Sequence, residues 1–110
     1  MRTNSHRKEK LPELLKHLAA EFIERESNRT SLVTVTNASI SDSQKQVKIL
    51  FTVLPEDQEE VVLEFLNRKK RDFFEYIDKH ARIGRMPEIE FIIDTGEKNR
   101  QRIDFLLQSE

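Results

Sequence analysis

The chain has 110 residues, 36% apolar and 35% charged, with a net charge of −1, no Cys, no Trp, two Gly and three Pro. That length suits one domain with one modest core, and the lack of cysteine excludes disulfides, thiolate zinc sites and Cys nucleophiles, in keeping with a reducing compartment. Apolar runs reach only triplets such as Ile49-Leu50-Phe51 and Phe91-Ile92-Ile93, so no membrane span or signal-peptide apolar region is expected, and two glycines are too few for a Gly-rich phosphate loop.

Residues 1–10 are polar, basic and without periodicity, and read as a flexible basic arm ahead of one domain over 11–108. Leu11, Leu14, Leu15, Leu18, Ala19, Phe22 and Ile23 then recur at helical spacing, with Pro12 expected in the first turn, where its missing N–H costs nothing. Leu32–Ile40 is β-branched and alternating, with Val33 and Val35 on one face and Thr34 and Thr36 on the other. A turn over Ser39–Gln44 leads to a second strand carrying Val47, Ile49, Phe51 and Val53, and so short a connection predicts antiparallel pairing.

Pro55 and the acids Glu56, Asp57, Glu59 and Glu60 open a helix, where negative charge suits the dipole. Val61, Val62, Phe65 and Leu66 form its stripe, which should continue at positions 69 and 70. Arg68-Lys69-Lys70-Arg71-Asp72 stands there instead, and the apolar pattern resumes at Phe73, Phe74, Ile77 and Ala81. A straight helix would drive a lysine into the core at a cost that favours a kink, a linker or outward snorkelling. The reading is a break near 68–72 between two consecutive helices. Gly84 is the expected C-cap and Pro87 the stop. Ile89, Phe91 and Ile93 mark a third strand, and Asp94 or Thr95 caps a short last helix bearing Ile103, Leu106 and Leu107 on one face. The order α-β-β-α-α-β-α predicts an α+β fold, a three-stranded sheet with helices on one face.

Charge is unevenly spread. Residues 1–10 carry four Lys/Arg and one acid, 11–67 five and ten, 68–85 seven and three, and 86–110 three and six. Positive charge therefore gathers in the arm and in one internal stretch, and clustering sets the local field.

The element order is similar to a type II KH-like domain. The segments Leu32–Asp42 and Val47–Leu54 resemble the hairpin of the ribosome-binding factor A family, Pro87–Asp94 resembles its last strand and Arg102–Leu107 its closing helix. This resemblance, over about residues 11–107, implies a monomeric cytoplasmic (or organellar) factor that binds the 16S rRNA of the free, immature 30S subunit. Such a factor assists late maturation, is not an enzyme and needs no cofactor. Where the family carries a small residue, any residue and then Gly at the helix–helix junction, this chain reads Lys69-Lys70-Arg71.

In KH-like domains a nucleic acid backbone passes near that junction, glycine allowing close approach to backbone N–H groups. Here Arg68, Lys69, Lys70 and Arg71 are the expected substitute, meeting phosphate by charge, with Lys79, Arg82 and Arg85 extending the patch and Arg7 and Lys8 adding contacts from the arm. Arg100 and Arg102 are expected to pair with acids such as Asp104 or Glu97. Phe73 and Phe74 are candidates for base stacking or for the core. His6, His17 and His80 have no ligand spacing, and no nucleophile elbow, P-loop or zinc motif is present. The rival readings are a KH-like protein-interaction module working through the acidic Glu56–Glu64 and a general RNA-binding protein without a ribosomal target.

Overall fold

The computed structural model describes residues 2–27, 31–81, 84 and 87–108, with side chains from residue 11 onward. The stripe that begins at Leu11 forms the inner face of helix α1 (Arg2–Glu26), where Leu15, Leu18, Ala19, Phe22 and Ile23 are buried. The backbone of residues 2–10, expected as an arm, is part of this helix. Arg2, Arg7, Lys8, Glu9 and Lys10 are good helix formers. Pro12 consequently lies inside the helix and not in its first turn, at the loss of one intrahelical hydrogen bond.

Strands β1 (Leu32–Ile40), β2 (Gln46–Leu54) and β3 (Glu88–Ile93) form one sheet in the order β1-β2-β3. β1 and β2 pair antiparallel through the expected hairpin, and β2 and β3 pair parallel, with Val47 opposite Ile89, Ile49 opposite Phe91 and Phe51 opposite Ile93. A parallel neighbour requires a crossover. Helices α2 (Glu59–Arg68) and α3 (Lys70–His80) supply it after a 3-10 turn at Glu56–Gln58.

The core lies between one face of the sheet and these helices. Val47, Ile49, Phe51, Val53, Ile89 and Phe91 meet Val62, Leu66, Phe73, Ile77 and the α1 stripe. Phe73 sits with its ring centroid 5.1 Å from Phe22 and 5.9 Å from Phe91, so α1, α3 and β3 converge on one aromatic cluster. Each such fully buried large side chain contributes about 1.5–3 kcal/mol. Helix α3 ends at Ala81 in extended backbone, so Gly84 is not its C-cap; with φ 79°, the left-handed region that favours glycine, it serves the loop before β3.

Helix α4 (Thr95–Gln108) has 14 residues, longer than the short helix expected. Asp94 caps it, its Oδ1 accepting the Glu97 backbone N–H at 3.0 Å. A β-bulge between Val35 and Asn37 sets Thr36 apart in β1, and the Thr36 hydroxyl donates to Asp94 Oδ2 at 2.5 Å. The edge strand is thereby clasped to the start of α4 across β2. Ile103, Phe105, Leu106 and Leu107 on α4 are each more than half exposed. The helix is held near its first turns by ion pairs, Lys98 with Glu59 at 3.1 Å and Arg102 with Glu56 at 2.9 Å. The whole is α+β with a three-stranded mixed sheet, in the element order of a type II KH-like domain plus a C-terminal helix.

Candidate nucleic-acid interface

Val62, Leu66, Phe73 and Ile77 are all buried, and in an unbroken helix Lys69 would share their stripe. The chain breaks the helix at that one residue. Lys69 alone separates α2 from α3, with φ −96° and ψ 6°. Its N–H is shared between the Phe65 and Leu66 carbonyls at 3.1 Å each, and its own carbonyl accepts the Phe73 N–H at 2.9 Å. The break falls within the 68–72 segment read from the sequence and is narrower than it. The bend turns Lys69 out to the rim, and its ammonium lies 3.8 Å from Glu26 Oε1, 3.5 Å from Asp72 Oδ2 and 5.9 Å from the Phe65 ring centroid.

Four neighbouring cations thus divide into two kinds. Lys69 is engaged by carboxylates. Arg68, Lys70 and Arg71 make no ion pair among the described residues; Arg68 ends α2, and Lys70 and Arg71 open α3. That helix has no side-chain cap, so its first N–H groups join the three cations in favouring an anion. Phosphate oxygens are the anions that such an arrangement meets through charge and N–H donation.

Of the remaining expected phosphate contacts, only Lys79 has a described side chain, and it is not at the junction. Lys79 lies on α3 nine residues beyond Lys70, roughly 13 Å along the axis, and shares the exposed side of α3 with Glu75 and Asp78. Arg82 and Arg85 fall outside the described residues, as do the side chains of Arg7 and Lys8, whose backbone belongs to α1. Phe73 is in the core and Phe74 packs partly against it. Arg100 pairs with Glu97 at 2.6 Å, as expected, but Arg102 pairs with Glu56 and not with Asp104 or Glu97. Hydrogen bonding to Arg102, above the opposing effect of desolvation, holds the Glu56 carboxyl below the usual glutamate range.

A second polar group braces α1 against α3. The Tyr76 hydroxyl donates to Glu21 Oε2 at 2.9 Å, His17 Nε2 lies 2.6 Å from Glu21 Oε1, and His80 stacks on the Tyr76 ring at 4.1 Å between centroids. The hydrogen bond to the Glu21 carboxylate, aided by burial, raises the Tyr76 hydroxyl above its ordinary value. No three His, Asp or Glu side chains among the described residues are grouped to hold a metal ion. No described helix is long and apolar enough to cross a membrane.

The family model described as "Ribosome-binding factor A" matches residues 7–107, a span that includes the whole sheet and the bend. The chain belongs to the ribosome-binding factor A family. Among its relatives, the ribosome-binding factor A of Thermodesulfovibrio yellowstonii is 33% identical over 104 residues, covering 93% of this chain and 88% of that protein. That of Coxiella burnetii (strain CbuG_Q212) is 29% identical over 107 residues, covering 94% and 89%. The crystal structure of ribosome-binding factor A from Thermus thermophilus superposes with a TM-score of 0.68 at 27% identity, over 76% of this chain and 92% of that one. Sequence and fold agreement therefore extend through the helix–strand frame, and in this chain the helix–helix junction carries Arg68-Lys69-Lys70-Arg71.

Proposed function

We propose that this chain binds the small ribosomal subunit while it is immature, through 16S rRNA, and assists the late steps of rRNA maturation before leaving. The observation that carries this reading is the trio Arg68, Lys70 and Arg71, which makes no ion pair among the described residues at the helix–helix junction of a ribosome-binding factor A fold. The family relationship supports the ribosomal target, and the trio supports the mode of contact: phosphate charge met by side chains, with counterion release as the driving term. Binding that favours the immature RNA conformation would shift its population by differential affinity alone. Such a role involves no catalytic step and no cofactor, and one copy of the chain suffices for it.

The rival interaction-module reading would use the acids between Glu56 and Glu64. Glu56 and Glu59 are engaged internally by Lys98 and Arg102, which favours the RNA reading over it. Sedimentation separates the two. The full chain is expected to co-migrate with free small subunits, to be displaced by high salt and to be absent from complete ribosomes. Salt-tolerant co-migration, or equal binding to complete ribosomes, would contradict the proposal.

A further inference from the structure

Lys69 stands at the meeting point of three helix ends. Glu26 is the last residue of α1, Lys69 closes α2, and Asp72 is in the first turn of α3. Two of those ends, the C-termini of α1 and α2, carry the negative pole of a helix dipole, and an ammonium between them is favourably placed. The last turn of α1 carries Glu24 and Glu26 beside one cation of its own, Arg25, so a further cation at this end is favoured. Asp72 sits at the positive pole of α3, where an acid belongs. The Lys69 ammonium also lies over the Phe65 ring, 5.9 Å from its centroid, so a cation–π contact joins the two carboxylates in holding it.

Further along, Phe22 meets Phe73 at 5.1 Å and Tyr76 at 5.6 Å, and Glu21 accepts from Tyr76. α1 and α3 are therefore braced along their length, and Lys69 is the brace at the bend itself. Arg68 and Lys70 are its immediate chain neighbours, so the angle that Lys69 fixes is the angle at which they are presented.

We infer that Lys69 is a positioning residue for RNA binding: held between Glu26 and Asp72, it fixes the bend that presents Arg68, Lys70 and Arg71, and does not itself meet phosphate. This role rests on the RNA reading of the bend. It also assigns a function to Glu26, a carboxylate that would by charge alone oppose RNA.

The test is titration of the full chain with a 16S rRNA transcript over a series of KCl concentrations, reading affinity and salt slope. Lys69→Met is expected to weaken binding about threefold, as befits a partly exposed pair, with the salt slope unchanged, and Lys69→Arg to restore wild-type affinity. Glu26→Gln is expected to weaken binding by a similar factor although it removes negative charge, and the double variant to be no weaker than either single one. If Lys69→Met lowers the slope by about 0.7–0.9, one phosphate contact, or if Glu26→Gln tightens binding, Lys69 is itself an RNA contact restrained by acids and the inference falls. Unchanged affinity in both variants overturns it equally. A Lys70→Glu/Arg71→Glu variant tests the underlying reading separately: if it binds as wild type does, the bend is not the RNA surface and Lys69 has nothing there to position. Circular dichroism and thermal unfolding of each variant establish that the fold is kept.

Discussion

Asp94 concentrates several bonds on one side chain. It accepts the Glu97 N–H and the Thr36 hydroxyl, and hydrogen bonding to these donors, the backbone one foremost, holds its carboxyl below the usual aspartate range. The Thr36 Oγ1 also lies 3.2 Å from the Leu50 carbonyl, but a hydroxyl has one proton and the shorter bond to the carboxylate takes it. Asp94→Ala is expected to destabilise the protein by about 1–2 kcal/mol, and Thr36→Val by about 1 kcal/mol, in urea unfolding at neutral pH. The folded carboxyl holds its proton more weakly than the unfolded one. Its contribution is thus complete above the unfolded aspartate value, about 3.9, and is lost as pH falls through the lower folded value. The gap between wild type and Asp94→Ala should accordingly narrow on acidification through that range. A gap independent of pH would contradict the role of the ionised cap. Asp94 was legible as a cap from its place before a helical pattern. Its tie to Thr36 was not, although the apolar face of β1 changes parity, from Val33 and Val35 to Ala38 and Ile40, and such a shift is what a bulge produces.

Among the elements, the helix pair α2–α3 was the most legible, because five consecutive charges interrupted a stripe that otherwise kept its phase. What the sequence left open was which of two adjacent phenylalanines served the core. Phe73 is fully buried between Phe22 and Phe91, whereas Phe74 is only partly so. Phe73→Ala is therefore expected to cost about 3–5 kcal/mol in urea unfolding, and Phe74→Ala clearly less; equal costs would contradict this packing. The length of α1 was not legible: residues 2–10 have no apolar period, and Pro12 resembled a helix start. Nor was the fixing of α4, since Glu56 and Arg102 are 46 positions apart and nothing local pairs them. Because α4 exposes Ile103, Phe105, Leu106 and Leu107 and is held by charge near its start, Glu56→Gln should speed hydrogen exchange of α4 amides while leaving β2 protected. Unaltered α4 exchange would show that apolar packing, and not the ion pairs, retains the helix.

At the scale of the molecule, a chain of net charge −1 clusters cations over 68–71 while several of its acids are engaged in ion pairs or hydrogen bonds. Glu56, Glu59 and Glu97 serve α4, Glu21 serves Tyr76 and His17, and Glu26 and Asp72 serve Lys69. The sequence indicated where the cations cluster but not which of them the fold would consume, since Lys69 and Glu26 meet only once α1 is laid against α3. The most direct measurement is the salt dependence of 16S rRNA binding by wild type and by the variant Arg68→Glu/Lys70→Glu/Arg71→Glu. Wild type should lose affinity linearly in log–log form as KCl rises, and the triple variant should bind far more weakly, with a slope shallower by about 2–3 if each cation meets one phosphate. Equal affinity and equal slope in the two proteins would contradict the assignment of the bend as the surface that meets ribosomal RNA.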